Sequence, residues 1–141
     1  MKTYQHTQPG PLITGVMVLM FAIMVLLGLF VQKPFLITAP LLLLVGWLFH
    51  SLTIEIAGGE LRWHFGPGLI SKRIPLSEIA SAKVVRTNFF DGWGIHWSRF
   101  GWLYNVSGDD AVAITLRSGK QFALGSDEPA ALAEAIRQNL A

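Results

Sequence analysis

Two blocks of almost unbroken apolar residues open the chain, and after them apolar and polar positions alternate. The first block, Leu12 to Val31, has Thr14 as its only strongly polar side chain. Twenty helical residues reach about 30 Å, the thickness of a bilayer's hydrocarbon core. The second, Phe35 to about Leu52, carries Thr38, Pro40, Gly46, His50 and Ser51 and reads as a thinner or kinked span. Pro40 falls within its first two turns, where few backbone donors have partners to lose. Only Gln32, Lys33 and Pro34 separate the blocks, which forces an antiparallel helical hairpin with both chain ends on one side. Gly15 with Ala22, and Ala39 with Gly46, are small residues that permit close helix approach. Residues 1–11 read as a short N-terminal tail. No signal-peptide cleavage pattern follows the first block, which runs straight into the turn and the second block.

From Leu52 onward the period changes to two. Leu52, Ile54 and Ile56 alternate with Thr53 and Glu55, Gly58-Gly59 turns the chain, and Leu61, Trp63 and Phe65 alternate with Glu60, Arg62 and His64. Gly66-Pro67-Gly68 makes the next turn. Further strands are predicted over Leu69 to Ile74, Ala80 to Thr87, Leu103 onward, Val112 to Arg117 and Lys120 to Leu124. Gly125 to Pro129 carries helix-start chemistry, and Leu132, Ile136 and Leu140 form one apolar stripe on a helix over 127–140. Short strands closed by one helix predict a small antiparallel barrel or curled sandwich over 52–141.

Asn88 to Phe100 breaks the alternation. Phe89, Phe90, Trp93, Trp97, Phe100, Trp102 and Tyr104 crowd around Gly92, Gly94 and Gly101. One reading has these rings filling the core, with the glycines permitting bulges; the other has some of them meeting a partner or the headgroup region, where Trp and Tyr are favoured.

Charge narrows the partners. The chain's net charge of +2 comes from Lys2 and Lys33, because nine basic and nine acidic residues follow Ser51 and leave that part neutral. No strongly basic face for nucleic acid follows from such a balance. The absence of cysteine excludes disulfides, thiolate metal sites and a cysteine nucleophile. Lys2, Arg62, Lys72 and Arg73 flank the spans on one side against Lys33 on the other, which predicts a cytoplasmic domain. Lys72, Arg73, Lys83 and Arg86 are a candidate basic patch for anionic lipid or a partner, with Trp93 and Trp97 as candidate inserting rings. His96, Ser98 and Asp91 lie close in sequence but give no geometry for nucleophilic catalysis, and His64 and His96 lack metal-ligand spacing. No enzyme activity and no cofactor are expected.

Gly101-Trp102-Leu103-Tyr104-Asn105-Val106-Ser107-Gly108, Asp110-Ala111-Val112 and Gly125-Ser126-Asp127-Glu128-Pro129, in a chain of two spans, about seven strands and a last helix, resemble bacterial membrane proteins that carry a pleckstrin-homology-like domain. The resemblance covers residues 52–138. It implies a pleckstrin-homology-like small barrel with one C-terminal helix after a transmembrane hairpin, in the bacterial inner membrane. It also implies an interaction or scaffolding module with a protein partner or a second copy. The basic first hairpin through which many pleckstrin-homology domains hold phosphoinositides is here Ala57-Gly58-Gly59-Glu60, so inositide binding is not implied. The alternative function is a sensor of anionic lipid headgroups.

Overall fold

The computed structural model describes residues 2–87, 94–106 and 108–140. In chain order its elements are strand β1 (Lys2–Pro9), helices α1 (Pro11–Phe30) and α2 (Phe35–Leu48), and strands β2 (Ser51–Ala57), β3 (Glu60–Phe65) and β4 (Ile70–Pro75). A 3-10 turn (Leu76–Glu78) follows, then β5 (Ile79–Arg86), β6 (Gly94–Ser98), β7 (Gly101–Asn105), β8 (Asp110–Leu116), β9 (Gln121–Gly125) and helix α3 (Pro129–Gln138).

α1 is apolar on all sides and only Gly28 in it is buried. A core helix of a soluble protein would be largely covered, whereas Leu19, Leu29 and Phe30 here are more than half exposed. By length and composition α1 is the one described helix able to cross a membrane; α2 is apolar but has 14 residues. The two pack antiparallel, because a Cβ on Gly28 would meet the Leu36 side chain and one on Gly46 would come within 3.1 Å of Met17. Gly15 faces open space and Ala22 is exposed, so the close approach uses Gly28, Ala39 and Gly46 and not the first expected pair.

The strands form two sheets, ordered β1-β2-β3-β4 and β5-β8-β9-β7-β6. They face each other across one core that includes Ile54, Trp63 and Phe65 from the first and Tyr104, Ile114 and Leu124 from the second. Neither sheet closes into a barrel, which corrects the barrel expectation in favour of an open sandwich. Two strands were not expected. β1 lies in what reads as a tail, pairing antiparallel with β2 from Lys2–Ala57 to Pro9–Ser51. β6 falls inside the stretch where alternation fails, and pairs with β7. β7 and β9 are parallel, because the β8–β9 hairpin inserts between β5 and β7.

β1 escapes detection because its inward positions are Tyr4, His6 and Gln8, which are not aliphatic. They are held by polar contacts instead. The Tyr4 hydroxyl donates to a Glu128 carboxylate oxygen, and His6 Nε2 lies 2.6 Å from Asp127 Oδ1. The acidic residues expected to favour the start of the last helix therefore tie β1 to it. Glu128 makes no side-chain cap, and Ser126 Oγ accepts from the Glu128 amide instead. α3 buries Leu132, Ala133 and Ile136 against β5, β8 and β1, and Arg137 Nε donates to the Ala82 carbonyl.

No linker separates helices from sheet. The Gly10 amide donates to the His50 carbonyl at 2.7 Å, directly after the last β1–β2 pair, so the strand ladder continues into the helix hairpin. Gly66 has φ +50 and its amide donates to the Ser51 carbonyl; a Cβ there would lie 2.7 Å from the Trp47 and Leu48 carbonyl oxygens. The β3–β4 turn is thereby seated on the end of α2.

Two outcomes follow from these junctions. Gly58 has φ +58 with open space around it, so Gly58→Ala should cost about 1 kcal/mol, the left-handed penalty alone. Gly66→Ala adds the carbonyl clash and should lower the unfolding midpoint clearly more, measured by thermal denaturation in detergent. The second concerns Tyr4: burial first, then the hydrogen bond to Glu128 and the charges of Glu128 and Asp127, raise its phenol well above the ordinary value near 10. The unfolded chain ionises this phenol near pH 10 while the folded chain keeps the proton. The stability it contributes is whole below that pH and falls as pH rises above it. Tyr4→Phe should flatten this alkaline loss relative to the parent chain, and lower stability at neutral pH by about 1 kcal/mol.

Candidate functional site

Alternation and register decide where the basic residues go. Lys72 pairs with Trp63 on the inward face of β4, and Arg73, opposite Arg62, is on the outward face. Lys83 pairs with Ala113 in the other sheet, and Arg86 ends β5 opposite Asp110. The four residues thus occupy two sheets and differ in face, and do not form the single patch expected. Trp93 lies outside the described residues, as do Phe89, Phe90 and Asp91. Trp97 is 70% exposed and meets Trp102 edge to face at 5.8 Å. Trp102, in β7, lies four residues before Val106, which directly follows the strand and packs beside Gly10 at the helix junction. Strand rise puts about 13 Å between them, so this tryptophan pair sits away from the α1–α2 end.

What the fold does bring together is a groove on the unsealed side of the sandwich. α3 covers the side of β5 and β1, while β4 and β6 each have one paired neighbour among the described residues. Between β4 and the β7–β9 region is a recess of about 220 Å³ lined by Trp63, Lys72, Ile74, Tyr104, Lys120 and Phe122, among others. Its floor is aromatic: Trp63 stacks on Phe122 at 5.1 Å and meets Tyr104 edge to face at 5.3 Å. Its rim is cationic, with Lys72, Arg73 and Lys120 and no acidic residue among the lining. Lys72 Nζ stands 5.7 Å from the centre of the Tyr104 ring, a distance at which the ring face attracts a cation.

On the outward face of the same strand, a wider recess of about 620 Å³ is lined by Glu55, Arg62, Trp63, His64, Ser71, Lys72 and Arg73. Arg62 is occupied by Glu60, at 2.8 and 2.9 Å. Trp63, Lys72 and Arg73 line both recesses. The Trp63 indole Nε1 is buried without an acceptor among the described residues. A buried donor left unpaired costs roughly 1–3 kcal/mol.

The histidines and serine weighed for catalysis do not converge. Ser98 Oγ donates to the Gly101 carbonyl and accepts from the Phe100 amide, so it stabilises the β6–β7 turn. His96 is on the outward face of β6, its Nε2 buried without a partner among the described residues. His64 lies between Thr53 and Ser71 on the outward face of the other sheet. Among the described residues no group of three His, Asp or Glu side chains is arranged to hold a metal ion.

The sequence marks Lys72 and Arg73, with Lys83 and Arg86, as candidate basic residues but does not show the groove's floor, because Trp63 and Phe122 read as core positions and Tyr104 as one of seven crowded rings with two open readings. The available signal was Lys72 itself, a charge at an inward position between Ile70 and Ile74. An inward charge also keeps an exposed edge from pairing with copies of itself. Lys72→Leu is accordingly expected to drive concentration-dependent association of the detergent-solubilised chain, seen by light scattering, while Lys83→Leu on the outward face of the other sheet should leave the particle size unchanged. No family model, no curated protein and no solved structure matches this chain.

Proposed function

We propose that this chain is a membrane-anchored, non-enzymatic interaction module that holds a small β-sandwich against the bilayer surface and presents it to a protein partner or a second copy. The observation that carries the reading is the junction: β1 and β2 run into α1 and α2 while still hydrogen-bonded to each other, Gly10 to His50. A domain joined by one flexible linker samples a large volume, whereas one joined by two paired strands keeps a fixed height and orientation. Such a mounting suits a module whose partner also lies at the membrane.

In this proposal both helices enter the membrane as a hairpin. α2 reaches about 21 Å at 1.5 Å per residue, so the local bilayer thins or the hairpin tilts to accommodate the shorter arm. The basic residues of both terminal segments belong to one body, which favours the cytoplasmic side of a bacterial inner membrane by the positive-inside rule. The pleckstrin-homology-like identity of the sandwich is part of the proposal: the order of hairpin, strands and last helix supports it, and the unclosed sheets depart from it. The lipid-sensor alternative needed Lys72, Arg73, Lys83 and Arg86 on one surface with Trp97 near the bilayer. Their placement gives it no support.

Gentle extraction of the full chain from its native membrane, with mass measurement of the intact particle, tests the reading. A stoichiometric second protein or a defined homo-oligomer is expected; a monomer carrying only anionic lipid overturns it. A reporter fused to the C-terminus should be active only on the cytoplasmic side, and activity on the opposite side overturns the orientation.

A further inference from the structure

We propose that the free edge of β4 is a docking strand for an extended acidic peptide segment of a partner protein, whose alternate side chains enter the two recesses on either face of that strand. The inference deepens the interaction-module reading and rests on it.

Four observations converge on β4. Among the described residues it is paired with β3 only, and its other edge has no backbone partner among them over Ile70 to Pro75. Pro75, which lacks a donor, stands at the last position, where an edge tolerates it. A recess lies on each face of the strand, and Lys72 and Arg73 each line both. Consecutive side chains of an added strand point to opposite faces at a rise of about 3.3 Å, so such a strand would send one side chain to the Trp63, Tyr104 and Phe122 floor and the next to the side of Ser71 and Arg73. This pairing of main-chain hydrogen bonds with alternating pockets is how strand addition combines affinity with selectivity.

Charge states what the segment must carry. Lys72, Arg73 and Lys120 border the inner recess without an acid, and none of them makes an ion pair among the described residues. The same charges exclude the commonest wrong partner. Two β4 edges brought together would set Lys72 and Arg73 against their copies, so self-pairing is opposed while an acidic strand is attracted. An aromatic or branched apolar side chain between acids matches the floor, where ring stacking adds to burial.

The test uses the full chain in nanodiscs of zwitterionic lipid, with an acetylated, amidated peptide of alternating Asp and Val around a central Phe, and the same peptide with Lys in place of Asp. Hydrogen exchange of the β4 amides and tryptophan fluorescence are followed together. The acidic peptide should bind and slow exchange over β4, and the basic peptide should not. Lys72→Glu with Arg73→Glu should weaken the acidic peptide by about tenfold or more, as expected when charge-assisted contacts become repulsive, and should gain binding of the basic one. Both positions are exposed, and gain of the basic peptide is a signal that an unfolded variant cannot give. Absence of β4 protection, or acidic-peptide binding indifferent to the charge reversal, overturns the proposal. Octanoate that perturbs the tryptophans while β4 exchanges as in the free chain would make the groove an amphiphile pocket and overturn it equally. If the native particle holds its partner through the same charge reversal, the interaction-module reading stands and the β4 assignment falls.

Discussion

The pairing of β1 with β2 across the base of the helix hairpin is the constraint on which the rest of the molecule depends. A chain that leaves a sheet, crosses to the tip of a two-helix hairpin and returns must bring its ends back within one strand spacing. Here Pro9 opposite Ser51 and the Gly10 to His50 hydrogen bond do this. Gly10 suits the position because a Cβ there would press on Ile13, Val106 and the Phe49 carbonyl. The same junction seats the β3–β4 turn through Gly66, so three strands of one sheet are fixed to the helices.

A second consequence is a continuous column of rings. Phe49, just after α2, contacts Phe65 at 5.1 Å; Phe65 meets Tyr104 at 6.5 Å, Tyr104 meets Trp63, and Trp63 stacks on Phe122. The groove's floor is the outer end of this column and the helix junction its inner end. Close-packed interiors have low compressibility and transmit strain. A side chain entering the groove therefore presses on rings whose other neighbours reach the end of α2.

The two flanks of the sandwich are managed differently. On one, α3 lays its apolar stripe over β5 and β1, and Tyr4, His6, Asp127 and Glu128 knit the strand to the helix start. On the other, β4 keeps a lysine on its inward face. The second sheet also buries its outer side locally, where Leu103, Ala111 and Ala123 pack with Val85 and Phe100.

The period of the apolar positions was enough, without coordinates, to determine the helix hairpin, strands β2 to β5 and β7 to β9, the last helix and its buried stripe, since each buries one face and says so in its spacing. Tertiary structure alone decided the rest. β1 is invisible in sequence because hydrogen bonds from Tyr4 and His6 to residues more than a hundred positions away replace aliphatic burial. β6 is invisible because Ile95 and Trp97 face the core side between a histidine and glycine-rich flanks, a pattern too short to register as alternation. Which flank stays open, and hence that Trp63, Tyr104 and Phe122 floor a groove under a cationic rim, depends on strand order and on where α3 docks. Those are relations between distant segments, which local periodicity does not encode.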